Sequence, residues 1–147
     1  MLYLIKRFIE RYHSKGFDNA TEHVYLFIKR IFKIRTACDI RASLPNSILI
    51  PHPVGIVIGR DVKLGNNVMI LQNVTLGVRL SPASSGSQPQ ICDNVIIGAG
   101  ACVLGDVEIG RNSVIGANSV VLDDIPQNVV AAGVPARIVG ERRSNTK

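Results

Sequence analysis

Ile58-Gly59-Arg60-Asp61-Val62-Lys63, Leu64-Gly65-Asn66-Asn67-Val68-Met69 and Ile70-Leu71-Gln72-Asn73-Val74-Thr75 are three consecutive six-residue units of one pattern. A fourth begins at Leu76, the rhythm stops at a loop, and further units begin at Ile91, Ile97, Val103, Ile109, Ile115 and Val121. Each unit opens on Ile, Leu or Val. The second residue is most often Gly, and the fifth is usually Val, Ala or Ser. A helix needs period 3.6 and a simple strand needs period 2, so neither accounts for a period of six. A three-sided solenoid does. Each hexad makes one short strand and one corner, with the first residue turned inward and Gly relieving crowding at the turn. A coil buries its apolar edge only against the next coil, so several must stack. An ordinary sandwich gives a glycine at a fixed offset no role.

The outer bounds agree with this reading. A chain of 147 residues is about one domain, and 46% apolar content is ordinary for a globular one. No run of 18 apolar residues is present, which excludes a membrane-spanning helix. The opening Met1-Leu2-Tyr3-Leu4-Ile5-Lys6-Arg7 does not read as a signal peptide, because charges interrupt its apolar face. Cys38, Cys92 and Cys102 form neither a disulfide framework nor a metal spacing, so free thiols in a reducing cytoplasm are expected. Net charge is +6, from 17 basic and 11 acidic residues. Residues 1–36 hold eight Lys or Arg against three acids, hence +5. Such an asymmetry suits a solvated helix face or peripheral contact with an anionic membrane. No nucleic-acid motif accompanies it.

Residues 1–36 read as an N-terminal α-helical hairpin. Ile5, Phe8, Ile9 and Tyr12, and again Val24, Phe27, Ile28 and Ile31, recur at helical spacing, with Gly16 between them. The hairpin would cap one open end of the solenoid. Residues 37–140 form the solenoid domain, with a loop at 81–90, and residues 141–147 a basic tail. Between residues 37 and 57 the six-residue phase slips. His52 lies there between Pro51 and Pro53, thirteen residues after Asp39. With about 18 residues per coil, shortened corners would set the two side by side. An Asp beside a His suits a general base. Spacing alone leaves His52 equally readable as a surface histidine.

A resemblance adds what spacing does not. The runs His52-Pro53-Val54-Gly55-Ile56-Val57-Ile58-Gly59, Ile70-Leu71-Gln72-Asn73-Val74-Thr75-Leu76-Gly77, Ile97-Gly98-Ala99-Gly100-Ala101 and Ala132-Gly133-Val134-Pro135-Ala136-Arg137-Ile138-Val139-Gly140 are similar to the hexapeptide-repeat acyltransferases, in their serine O-acetyltransferase branch. The resemblance covers about residues 37–140. It implies a mainly β fold, the left-handed parallel β-helix, and a cytoplasmic homotrimer, with any membrane contact at the inner face. It implies acetyl-CoA as co-substrate and no metal. By the same resemblance His52 is the general base and Asp39 orients it. Gly77, Val78, Ala99 and Ala117 would line the pantetheine groove between subunits, and Arg137 and Arg142 would meet the CoA phosphates. Asn73, Ser87 and Gln88 would contact the acceptor. A zinc-dependent member would need three histidines on the solenoid, and His52 is the one present there.

Three positions depart from the serine-specific pattern. Pro51 replaces an aspartate before the base, and Ser87-Gln88 replace Arg-His before Pro89. Serine's ammonium and carboxylate would lose those charged partners. A hydroxyl of a sugar or polysaccharide is therefore the expected acceptor. Serine or another small molecule, and a non-catalytic β-helix protein, stand as alternatives.

Overall fold

The computed structural model describes residues 37–80 and 86–142; the helical hairpin expected over residues 1–36 lies outside them. The chain divides into two compact units, Met1–Thr36 and Ala37–Lys147. Among the described residues there are strands and no helix.

Thirteen strands, most of them two or three residues long, build three faces. Face A stacks β1 (Asp39–Ile40), β2 (Val57–Ile58), β5 (Thr75–Gly77), β8 (Cys102–Leu104) and β11 (Val120–Val121). Face C stacks β3 (Lys63–Leu64), β6 (Gln90–Ile91) and β9 (Glu108–Ile109), and Ile125 bridges to Ile109 below them. Face B stacks β4 (Met69–Ile70), β7 (Ile96–Ile97), β10 (Val114–Ile115), β12 (Val129–Gly133) and β13 (Ala136–Glu141). The chain visits A, then C, then B, and returns to A one coil further on. Every pairing is parallel except the last, where β13 runs back against β12. The described residues form a parallel β-helix.

The hexads explain the core. Their first residues, including Ile58, Ile70, Leu76, Ile97, Val103, Ile109 and Ile115, are 0% exposed. So are the fifth residues Val68, Val74, Val95 and Ala101. Each buried aliphatic side chain contributes on the order of 1.5–3 kcal/mol, which a two-residue strand could not gain alone. Ser113 and Ser119 take the fifth position in the last full coil. Ser113 Oγ donates to the Pro126 carbonyl at 2.6 Å, and Ser119 Oγ accepts from the Gly133 N–H at 3.1 Å.

The glycines act differently from the turn-relieving role expected of them. The left-handed corner positions fall mostly on the fourth residue of the hexad. Asn67, Asn94 and Asn112, with Asn128 below them, turn corner C–B; Gly55, Asn73, Gly100 and Asn118 turn corner B–A. Asparagine and glycine are the residues that tolerate this conformation. At Gly65, Gly98 and Gly110 the second-residue glycine instead admits the neighbouring coil: a Cβ on Gly98 would stand 2.6 Å from the Ala117 nitrogen.

Candidate functional site

Strand registers locate His52. Leu49 bridges to Met69 and Val57 pairs with Thr75. The turn from 49 to 57 thus advances eight residues where the turn from 69 to 75 advances six. Asp39 pairs with Val57, so the segment from 39 to 49 advances ten residues where 57 to 69 advances twelve. This is the physical content of the phase slip: coil 1 loses two residues early and regains them at the corner that carries His52. The extra residues hold His52 out as an exposed side chain on corner B–A. Its carbonyl accepts the Val54 N–H at 2.8 Å, which closes the turn locally. Its ring makes no side-chain hydrogen bond among the described residues.

Asp39 opens face A one coil above. Ile40 packs on the core, so Asp39 and Arg41 both point outward by strand alternation. Arg41 reaches back to the carboxylate: Nη2 and Nε donate to Asp39 Oδ2 at 2.8 and 3.1 Å. The carboxylate raises the Arg41 pKa above its ordinary value, by hydrogen bond first and charge second. Asp39 thus holds Arg41 here, and no Asp39–His52 hydrogen bond is formed among the described residues. Arg41 was not among the residues expected at the site. An outward Asp-x-Arg pair on one strand face was the signal for it.

The other expected residues sort into two groups on opposite edges of face A. Corner B–A carries His52, Asn73, Ala99 and Ala117 on successive coils. Asn73 is left-handed, φ 58°, and its N–H donates to the Val54 carbonyl. Ala99 is half-buried, and its carbonyl accepts the Asn118 N–H. Corner A–C carries Gly77, Val78, Ser87 and Gln88. Among the described residues a Cβ on Gly77 would meet nothing within 4 Å, so packing among them does not require glycine there. That open space fits a thin ligand arm lying against the backbone. Gln88 Nε2 lies 3.5 Å from Asp61 Oδ2, and its amide oxygen sits against the Gly59 Cα. The two edges are separated by the width of face A, roughly 15 Å for a five-residue extended crossing.

The two arginines expected at CoA divide as well. Arg137 is exposed, donating to Asp123 Oδ2 at 3.3 Å and to its neighbour's carbonyl at 2.8 Å. Arg142 lies at corner C–B, where Nη1 donates to the Asn94 carbonyl at 2.7 Å and its N–H to the Asn128 carbonyl. It therefore caps the asparagine corner, on a different edge from Ala99 and Ala117. β13 runs to Glu141, the first residue of the expected tail. Burial, with Glu108 beside it, pushes the Cys92 thiol up. Among the described residues no group of three His, Cys, Asp or Glu could hold a metal.

Residues 88–123 match the family model for the bacterial transferase hexapeptide, six repeats. The serine acetyltransferase of Escherichia coli K12 is 42% identical over 122 residues, 82% of this chain and 44% of that protein. A serine acetyltransferase solved in complex with cysteine is 40% identical with a TM-score of 0.69, over 81% of this chain and 50% of that one. The Brucella abortus serine acetyltransferase solved with coenzyme A is 40% identical with a TM-score of 0.63, over 74% and 42%. The chain spans about half the length, or less, of the relatives it matches. These relatives overturn the glycan acceptor expected from Pro51, Ser87 and Gln88. Uncharged residues at three positions remove particular partners for serine, but do not exclude charged partners elsewhere. The repeat, its stacking and these relatives place the chain in the hexapeptide-repeat transferase superfamily.

Proposed function

We propose that the protein transfers acetyl from acetyl-CoA to the hydroxyl of serine. The observation that carries this reading is 40–42% identity to serine acetyltransferases across nearly the whole β-helix. His52 takes the hydroxyl proton as the oxygen attacks the thioester carbonyl. The tetrahedral intermediate expels the CoA thiolate, and the imidazolium returns the proton to sulfur. Asp39 orients the His52 ring, and Asn73 contacts the acceptor from the same corner. Gly77, Val78, Ala99 and Ala117 line the pantetheine path, with Arg137 towards the phosphates. The helix is left-handed.

The site is completed by a homotrimer. His52 with Asn73, and Ser87 with Gln88, sit on opposite edges of face A, so one chain does not bring them together. A threefold ring that sets corner A–C of one copy against corner B–A of the next unites them. The protein acts in the cytoplasm, with its basic N-terminal segment towards the membrane's inner face.

The test is acetyl-CoA-dependent thiol release with L-serine, beside light scattering. Turnover from a species of about three times 15.9 kDa is expected. No release with serine would overturn the acceptor, and turnover by a strict monomer would overturn the shared site.

A further inference from the structure

Serine carries an ammonium and a carboxylate, and burying either without a partner is costly. The loop offers Ser87 and Gln88, neither charged, and Pro51 stands before His52. Arg41 is the cation tethered directly to Asp39. Its guanidinium is held from one side only: Nε and Nη2 both donate to the same oxygen, Asp39 Oδ2. Nη1 makes no hydrogen bond among the described residues. The side chain is 62% exposed while that of Asp39 is 33% exposed, so the guanidinium remains open to solvent beyond its contact with the carboxylate. A guanidinium fixed at one edge is a preorganised receptor for a second carboxylate at the other. The backbone tie of Arg41 N–H to the Ile58 carbonyl, at 2.9 Å, anchors this strand to β2, the strand into which the His52 corner leads.

We infer that Arg41, braced by Asp39, binds the acceptor's carboxylate and makes the enzyme selective for amino-acid hydroxyls over neutral ones. This inference rests on the serine reading above and supplies the charged partner that the loop lacks. Asp39 then has two tasks, bracing Arg41 and orienting His52, and the acceptor carboxylate shares the guanidinium with it.

The experiment compares L-serine with L-serine methyl ester, which keeps the hydroxyl and the amine but has no carboxylate. Wild-type protein should prefer serine in kcat/KM by roughly 10- to 100-fold, the value of one charge-assisted contact. Arg41→Gln should bring the two acceptors to within about twofold, mostly through the KM for serine, and Arg41→Lys should restore part of the preference. The Kd for CoA, measured separately, should not follow that ratio. A preference left intact by Arg41→Gln, or an equal loss for both acceptors, would refute the role of Arg41. Wild-type protein that acetylates neither acceptor would instead defeat the serine reading, and this inference with it.

Discussion

Corners C–B and A–C are turned by the same hexads and behave differently. Along C–B the chain advances six residues each time, from Leu64 to Ile70, Ile91 to Ile97 and Ile109 to Ile115. Along A–C it advances fifteen from Leu76 to Ile91, six from Val103 to Ile109 and four from Val121 to Ile125. The regular corner is tied by its own side chains: Asn67 donates to Asn94 at 3.3 Å and Asn112 to Asn128 at 3.1 Å. Glycine there is dictated by the next coil, since a Cβ on Gly110 would stand 2.5 Å from the Gln127 nitrogen. At A–C, among the described residues, a Cβ on Gly77 would meet nothing and one on Gly59 only a flexible glutamine. Where internal packing fixes a residue, the repeat is architecture. Where it does not, the chain is free to vary, and the candidate site has gathered at such places. Corner B–A makes the same point within itself: it is regular except where it carries His52.

Four measurements probe that contrast. His52→Ala, at the irregular turn of B–A, should lower acetyl transfer about 10²–10⁴-fold while the melting temperature stays close to wild type, because the side chain is exposed. Near-normal turnover would remove the irregular corner from the mechanism. Next come two glycines at the same hexad position. Gly98→Ala must push apart two coils and should destabilise by about 3 kcal/mol, whereas Gly77→Ala should shift stability by less than about 0.5 kcal/mol and raise the KM for acetyl-CoA. Denaturant titration that ranks them equally would dissolve the distinction. Asn118→Ala, a left-handed corner position with φ 55°, should cost about 1–2 kcal/mol, and Asn118→Gly only a few tenths. An Ala variant as stable as the Gly variant would mean that backbone conformation is not what selects asparagine there. Last, removing residues 82–85 should change unfolding free energy by no more than about 0.5 kcal/mol. A larger loss would show that corner A–C carries stability after all.

The fold was legible because one physical constraint repeats. An inward aliphatic every six residues is a stronger signal than any single propensity, and Ile58, Ile70, Ile97 and Ile115 all obey it. The asparagines at the fourth position were equally visible, and a left-handed residue per corner was their meaning. The site was less legible, for two reasons. The phase slip before Ile58 hid how far His52 projects, since two compensating changes of two residues cannot be placed without strand register. The absence of charge at Pro51, Ser87 and Gln88 pointed to a neutral acceptor, yet Arg41 lay in plain view two residues after Asp39. Sequence spacing along a strand gives the side a residue faces. It does not say that a long side chain will fold back along the strand to its neighbour.

The reversal of β12 into β13 has a consequence for assembly. A stack of parallel coils is a template, and a bare end presents unpaired N–H and C=O groups to any passing strand. On face B that end is finished by a strand of opposite direction, with a break in register between Val130 and Ala131. A further coil arriving in parallel finds no matching ladder on that face. The hairpin sets a terminus on a repeat that could otherwise be extended indefinitely, and it protects a fibre-like architecture from growing into a fibre.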